Sequence, residues 1–209
     1  MAFSIPAVAV ADTVYTLAAP NTALSSYPAP YGTATVHLVD SDTANISFAA
    51  ALTGIYQYSF GGNSAVDVNV NATSWLVSNL AWNGVGPVSG SGSQNVSSFG
   101  TFNQTFDSFD GFSHRSTQVS FTLDGGAGTN WLSSDDVLTA NASGYTVAMH
   151  GFACLAASCT GAVVTGYAGN GTTPPIPEPE TYAMMLAGLG LLGFVARRRR
   201  QGHGNLVPA

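Results

Sequence analysis

Residues 106–114 read Phe-Asp-Ser-Phe-Asp-Gly-Phe-Ser-His and concentrate the groups from which a site would be built. Asp107 and Asp110, set among three aromatics, suit a calcium ligand pair or a contact to a sugar. The plainer reading is a tight turn whose Phe side chains enter the core, and it is favoured because Asp is common in turns. Asp67-Val68-Asn69-Val70-Asn71 opens like a calcium loop, yet Ala72 stands at the glycine position and Ser78 at the closing carboxylate. An alternating strand explains it better. Cys154 and Cys159 lie close to His150, but a tetrahedral zinc site needs a fourth donor or a water, and no CxxC pair is present. There is no Gly-x-Ser-x-Gly elbow, and His37, His114 and His150 have no recognisable nucleophile context. Both glutamates, Glu178 and Glu180, fall near the C-terminus, so a paired-carboxylate hydrolase would depend on Asp alone. The expectation is a non-enzyme with no metal and no cofactor.

The elements that would position these residues are strands. Period-two alternation runs through residues 33–39, 45–48, 54–60, 65–70 and 117–123, with β-branched or aromatic residues on one face. Gly61-Gly62-Asn63, Asn83-Gly84, the Gly/Ser stretch from Gly86 to Ser93, Asp110-Gly111 and Asp124-Gly125-Gly126 punctuate them. Later strands are expected over 144–148 and 162–168. A helical turn is expected over 133–138, where Ser and Asp can cap it. Nine or so short strands point to an all-β, single β-sandwich domain, with a jelly roll as a variant. Trp75, Trp82 and Trp131 are read as core anchors rather than a sugar-stacking platform.

Charge narrows the partners. Between Asp12 and Thr173 there are nine Asp, one Arg (Arg115), no Glu and no Lys. Phosphate binding needs clustered basic residues, so nucleic acid is excluded. Six Asn-x-Ser/Thr triplets, beginning at Asn45, Asn71, Asn95, Asn103, Asn141 and Asn170, are read as the by-product of an Asn-, Ser- and Thr-rich chain.

The C-terminus supplies an address. Pro177-Glu178-Pro179 precedes an apolar run from Tyr182 to Ala196, which ends in Arg197, Arg198, Arg199 and Arg200. Moving guanidinium groups through hydrocarbon is costly, so such a segment enters a bilayer and stops with its arginines on the cytoplasmic side. As a helix, the run of 15 residues rises about 22 Å against roughly 30 Å of hydrocarbon core. This favours a short sorting helix over a durable anchor on a Pro-rich stalk, which is the alternative. Pro174, Pro175, Pro177 and Pro179 keep the preceding segment extended and accessible.

From Pro175 to Arg200 the tail resembles the PEP-CTERM sorting signal of exported bacterial proteins. The triplet, a Gly- and Ala-rich apolar helix and the Arg cluster occur in order, although Gln201 to Ala209 extends past the usual end. The resemblance implies recognition by an exosortase, cutting near the triplet, and delivery to the cell surface or exopolysaccharide matrix of a Gram-negative bacterium. At the other end, residues 1–11 are read as a signal-peptide remnant in which Ala9-Val10-Ala11 would leave Asp12 as the mature N-terminus. The missing charged n-region suggests a longer true leader, a buried first strand being the alternative. The expected organisation is a leader over 1–11, a β domain over 12–173, a Pro-rich segment over 174–181, a transmembrane helix over 182–196 and a basic cytoplasmic tail over 197–209. Export makes Cys154 and Cys159 a disulfide.

Two functions remain open for the domain. One is a structural or polysaccharide-associating module whose hydroxyls and amides contact a hydroxylated polymer. The other is a secreted hydrolase acting on glycan or peptide through Asp and His.

Overall fold

A computed structural model describes residues 11–108 and 111–171. The fold is all-β, and the described residues contain no α-helix. The strands are β1 (Thr13–Pro20), β2 (Gly32–Leu38), β3 (Thr43–Ala50), β4 (Leu52–Thr53), β5 (Tyr56–Phe60), β6 (Val66–Val68) and β7 (Trp75–Trp82). They continue with β8 (Val88–Ser91), β9 (Gln94–Asn95), β10 (Thr101–Phe102), β11 (Gln104–Ser108), β12 (Gln118–Gly125), β13 (Val147–Leu155) and β14 (Val164–Asn170). Twelve of them form one sheet whose main path runs β7-β12-β3-β2-β1-β14-β13-β6-β11-β8, with β5 on β13 and β4 on β5; every pairing is antiparallel.

The sheet folds back on itself because its inner face is apolar at every second residue. In β2 and β3 the buried positions Ala34, Val36, Ala44, Ile46 and Phe48 alternate with Thr35, His37, Asn45 and Ser47. Strands far apart in the sheet then meet across the core. Phe121 of β12 packs on Phe106 of β11 with ring centroids 4.2 Å apart, and Phe48 of β3 meets Phe60 of β5 edge-on at 6.1 Å. Trp75 Nε1 of β7 donates to Gln104 Oε1 of β11 at 3.0 Å, joining the two arms of the fold. Trp131 is buried and donates to Asn71 O, whereas Trp75 and Trp82 lie half-buried against the core.

Several expectations hold and others are corrected. Strands cover the alternating segments of β2, β3, β5, β6 and β12, and Ser133 caps a 3₁₀ turn at Ser134–Asp136 through a reciprocal capping box. The Gly/Ser stretch from Gly86 to Ser93 is not only a turn, since Val88–Ser91 pairs along β11. Residues 104–108 form a strand rather than a turn, because β6 and β8 flank them with hydrogen bonds on both sides. Phe106 still enters the core, as expected. The strand expected over 144–148 starts later and extends through Cys154 to Leu155.

A second, smaller layer covers part of the outer face. β9 and β10 make a two-stranded ribbon around a 3₁₀ turn at Ser97–Phe99. Its Val96, Phe99 and Phe102 pack on Ala148 of β13, with Tyr145 and Tyr167 alongside. Polar residues on the outer face of β6 and β11 therefore lie under protein instead of water.

Among the described residues no helix is long and apolar enough to cross a membrane. The leader through Val10, Asp110, the Pro-rich segment, the sorting residues Pro177, Glu178, Pro179 and Arg197 to Arg200, and the apolar run all lie outside the described residues.

Candidate functional site

The outer face of β2, β3, β12 and β7 is built from the polar half of the alternation. Antiparallel register places Thr35 opposite Ser47, and Ser47 opposite Ser120, giving one row of three hydroxyls, one each from β2, β3 and β12. Neighbouring strands lie about 4.8 Å apart, so the row repeats at that spacing. The next row sets His37 opposite Asn45, and Asn45 opposite Thr122.

These side chains orient one another. Asn79, the extra residue of a bulge in β7 with φ of 53°, donates from Nδ2 to Thr122 Oγ1 at 3.2 Å; Thr122 Oγ1 donates to Asn45 Oδ1 at 2.8 Å. His37 Nδ1 lies 2.6 Å from Asp12 Oδ1, and both side chains are about half exposed. Together these residues line an open concavity of about 410 Å³, beneath which the strands at Ile46 and Phe121 turn their side chains into the core. Preset amides and unshared hydroxyls suit an uncharged polyhydroxylated ligand. Asp12 and His37 at the rim form the one Asp–His contact of the concavity, so the structure brings together an acid–base pair that the sequence reading did not single out. The parity of Thr35/His37, Asn45/Ser47 and Ser120/Thr122 was the available signal.

The other candidate residues are held in place by packing and hydrogen bonds. His150 stacks on Tyr167 at 4.5 Å; its Nδ1 faces Gly61 O and its Nε2 lies 2.9 Å from Thr165 Oγ1. Burial pushes its pKa down, the Gly61 carbonyl partly opposing this, and both nitrogens are engaged. Gly62 adopts φ of 80° beside that ring, and a Cβ there would sit 2.8 Å from Nδ1. His114 sits on a 3₁₀ turn with Nδ1 3.3 Å from Ser113 Oγ. Arg115 lies over the Phe112 ring at 3.9 Å and donates to the carbonyls of Phe112 and Cys159, pinning two loops together. Cys154 and Cys159 form a disulfide, with Cα atoms 5.1 Å apart. No group of three or more His, Cys, Asp or Glu among the described residues is arranged to hold a metal.

Asp67 and Asp107 differ from what the sequence implied. Asp107 lies on a strand and accepts three hydrogen bonds: Ser64 N donates to Oδ1 at 2.7 Å, while the Ser91 hydroxyl and Gln94 Nε2 (3.0 Å) donate to Oδ2. Asp67 is the middle residue of β6, facing away from the core that takes Val66 and Val68. It is fully buried, and neither carboxyl oxygen has a hydrogen-bond partner. Burial first, and the neighbouring Asp107 second, push its pKa well above the usual carboxylate value; the Ser64 hydroxyl offsets part of this without reaching hydrogen-bond geometry.

Fold and face together define an all-β domain with a hydroxyl- and amide-lined surface. Residues 175–200 match the family model of the PEP-CTERM protein-sorting motif. That motif implies an exported protein processed at the membrane by an exosortase. No curated protein and no solved structure matches the chain.

Proposed function

We propose that this chain is a cell-surface or extracellular-matrix protein of a Gram-negative bacterium, whose β-sandwich domain is a non-enzymatic module associating with neutral extracellular polysaccharide. The sorting motif at residues 175–200 carries the reading, since it ties the domain to export and surface delivery. The face over β2, β3, β12 and β7 supports the ligand class. It offers hydroxyls at Thr35, Ser47 and Ser120 and oriented amides at Asn45 and Asn79, and little charge. Binding at such a face is weak per site and insensitive to salt, because few ion pairs form across it. In this reading the tail is the membrane contact before processing, and the exosortase is the processing partner.

The test is a pull-down with neutral polysaccharide at two ionic strengths. Wild-type protein is retained equally at both, and Ser47→Asp with Ser120→Asp, which put charge in the hydroxyl row, abolish retention. Equal retention of wild type and double variant would remove the face from the function.

A second reading rests on the Asp12–His37 contact at the rim of the same concavity. A hydrolase would use His37 as general base on a glycan or peptide. Turnover by the purified protein that disappears in His37→Ala would replace the binding module with this enzyme.

A further inference from the structure

A fully buried carboxyl with two unpartnered oxygens calls for a proton, a water or an ion. We propose that Asp67 and Asp107 hold a single divalent cation of the calcium type, in a site roofed by the β9–β10 ribbon. Strand register puts Asp67 opposite Thr105 of β11, and Asp107 lies two residues further along the same face. Ser64 is common to both carboxyls, through its amide to Asp107 and its hydroxyl toward Asp67. The remaining polar groups at Asp107 are the Ser91 hydroxyl and the Gln94 amide N–H, so the oxygens beside the pair are those of the two carboxylates and of the Ser64 and Ser91 hydroxyls.

That donor set suits a hard cation and not zinc or copper. The adjacent imidazole, His150, has both ring nitrogens engaged and supplies no ligand. With two carboxylates and neutral oxygens, affinity falls in the roughly 10⁻⁴–10⁻³ M range of extracellular calcium modules. A bound cation offsets the burial of Asp67 and then its repulsion by Asp107, the two causes that raise its pKa in the metal-free protein. It also ties the ribbon, through Ser91 and Gln94, to β6 and β11. The proposal is independent of what the β2–β3–β12–β7 face binds.

The experiment uses the full-length chain in mild detergent, disulfide intact and stripped with chelator, at pH 7.5. Equilibrium dialysis against calcium should give one ion per chain. At ten times Kd, Tm should rise by about 4 °C over a sodium chloride control of equal ionic strength. Asp67→Asn, a neutral isostere, should fold and lose both effects. Terbium in place of calcium should show emission sensitised by Tyr167, whose phenol pKa is raised by burial and then by Asp67 and Asp107; Tyr167→Phe should lose most of that emission and keep the calcium stoichiometry. Absence of bound calcium up to 10 mM, undiminished binding by Asp67→Asn, or unchanged emission in Tyr167→Phe would each overturn the site.

Discussion

Replacing Asp67 by Asn should stabilise the metal-free protein, and increasingly so as pH rises. The folded state keeps the Asp67 proton to a higher pH than the unfolded chain, whose Asp residues titrate near 3.9. Below that pH both states are protonated and the residue costs nothing electrostatic. Above it, the folded state alone carries the extra proton, so stability falls by about 1.4 kcal/mol per pH unit until the folded carboxyl ionises. Asn keeps the shape and removes the titration. Two other groups act with the opposite sign. Buried His150 favours the neutral form, and its contribution is lost as pH falls below about 6.5. The lowered pKa of exposed Asp40, set by hydrogen bonds from Asp42 and Thr43, likewise favours the fold above the ordinary Asp range. Both are shared by wild type and variant, so they cancel in the difference. Urea unfolding in chelator from pH 4 to 8, followed by Trp fluorescence, reads that difference. A flat difference, or a variant less stable throughout, would refute the argument that Asp67 is buried without a compensating partner.

Three further outcomes follow from other parts of the chain. Cys154→Ser with Cys159→Ser should cost about 2 kcal/mol, the loop-closure value for so short a ring, and thiol labelling of denatured exported protein should find no free cysteine. Phe121→Ala should cost about 3–5 kcal/mol, because its ring contacts Phe48 and Phe106 across the core, whereas exposed Leu132→Ala should stay within about 0.5 kcal/mol in a thermal melt. Intact-mass analysis of surface-extracted protein should show loss of the segment from Tyr182 to Ala209 where an exosortase is present, and Glu178→Ala should block that loss while leaving the domain folded.

What the sequence made legible was decided by whether a strand has one wet face. β2, β3 and β12 alternate Thr, Asn and Ser with Val, Ile and Phe because water lies on one side and the core on the other, so both their positions and the polar row at Thr35, Ser47 and Ser120 can be read from parity. In β7 the bulge at Asn79 shifts parity midway, and its edge position leaves only one neighbour to enforce a pattern. β11 hides its nature more completely. Gln104, Thr105, Phe106 and Ser108 are all buried, so no alternation survives, and the following Asp and Gly suggest a turn. Parity even misleads at Asp67. In Val66-Asp67-Val68 it assigns the Asp to solvent, and the side chain does point away from the core, but a ribbon about thirty residues later in the chain packs on Ala148, the residue opposite it in β13. Burial of that carboxyl is a long-range event, created when Val96, Phe99 and Phe102 seek apolar cover on Ala148. The ribbon gains its hydrophobic contact by trapping an acid, and the trapped acid, unlike the surface hydroxyls, needs a proton or a cation to stay there.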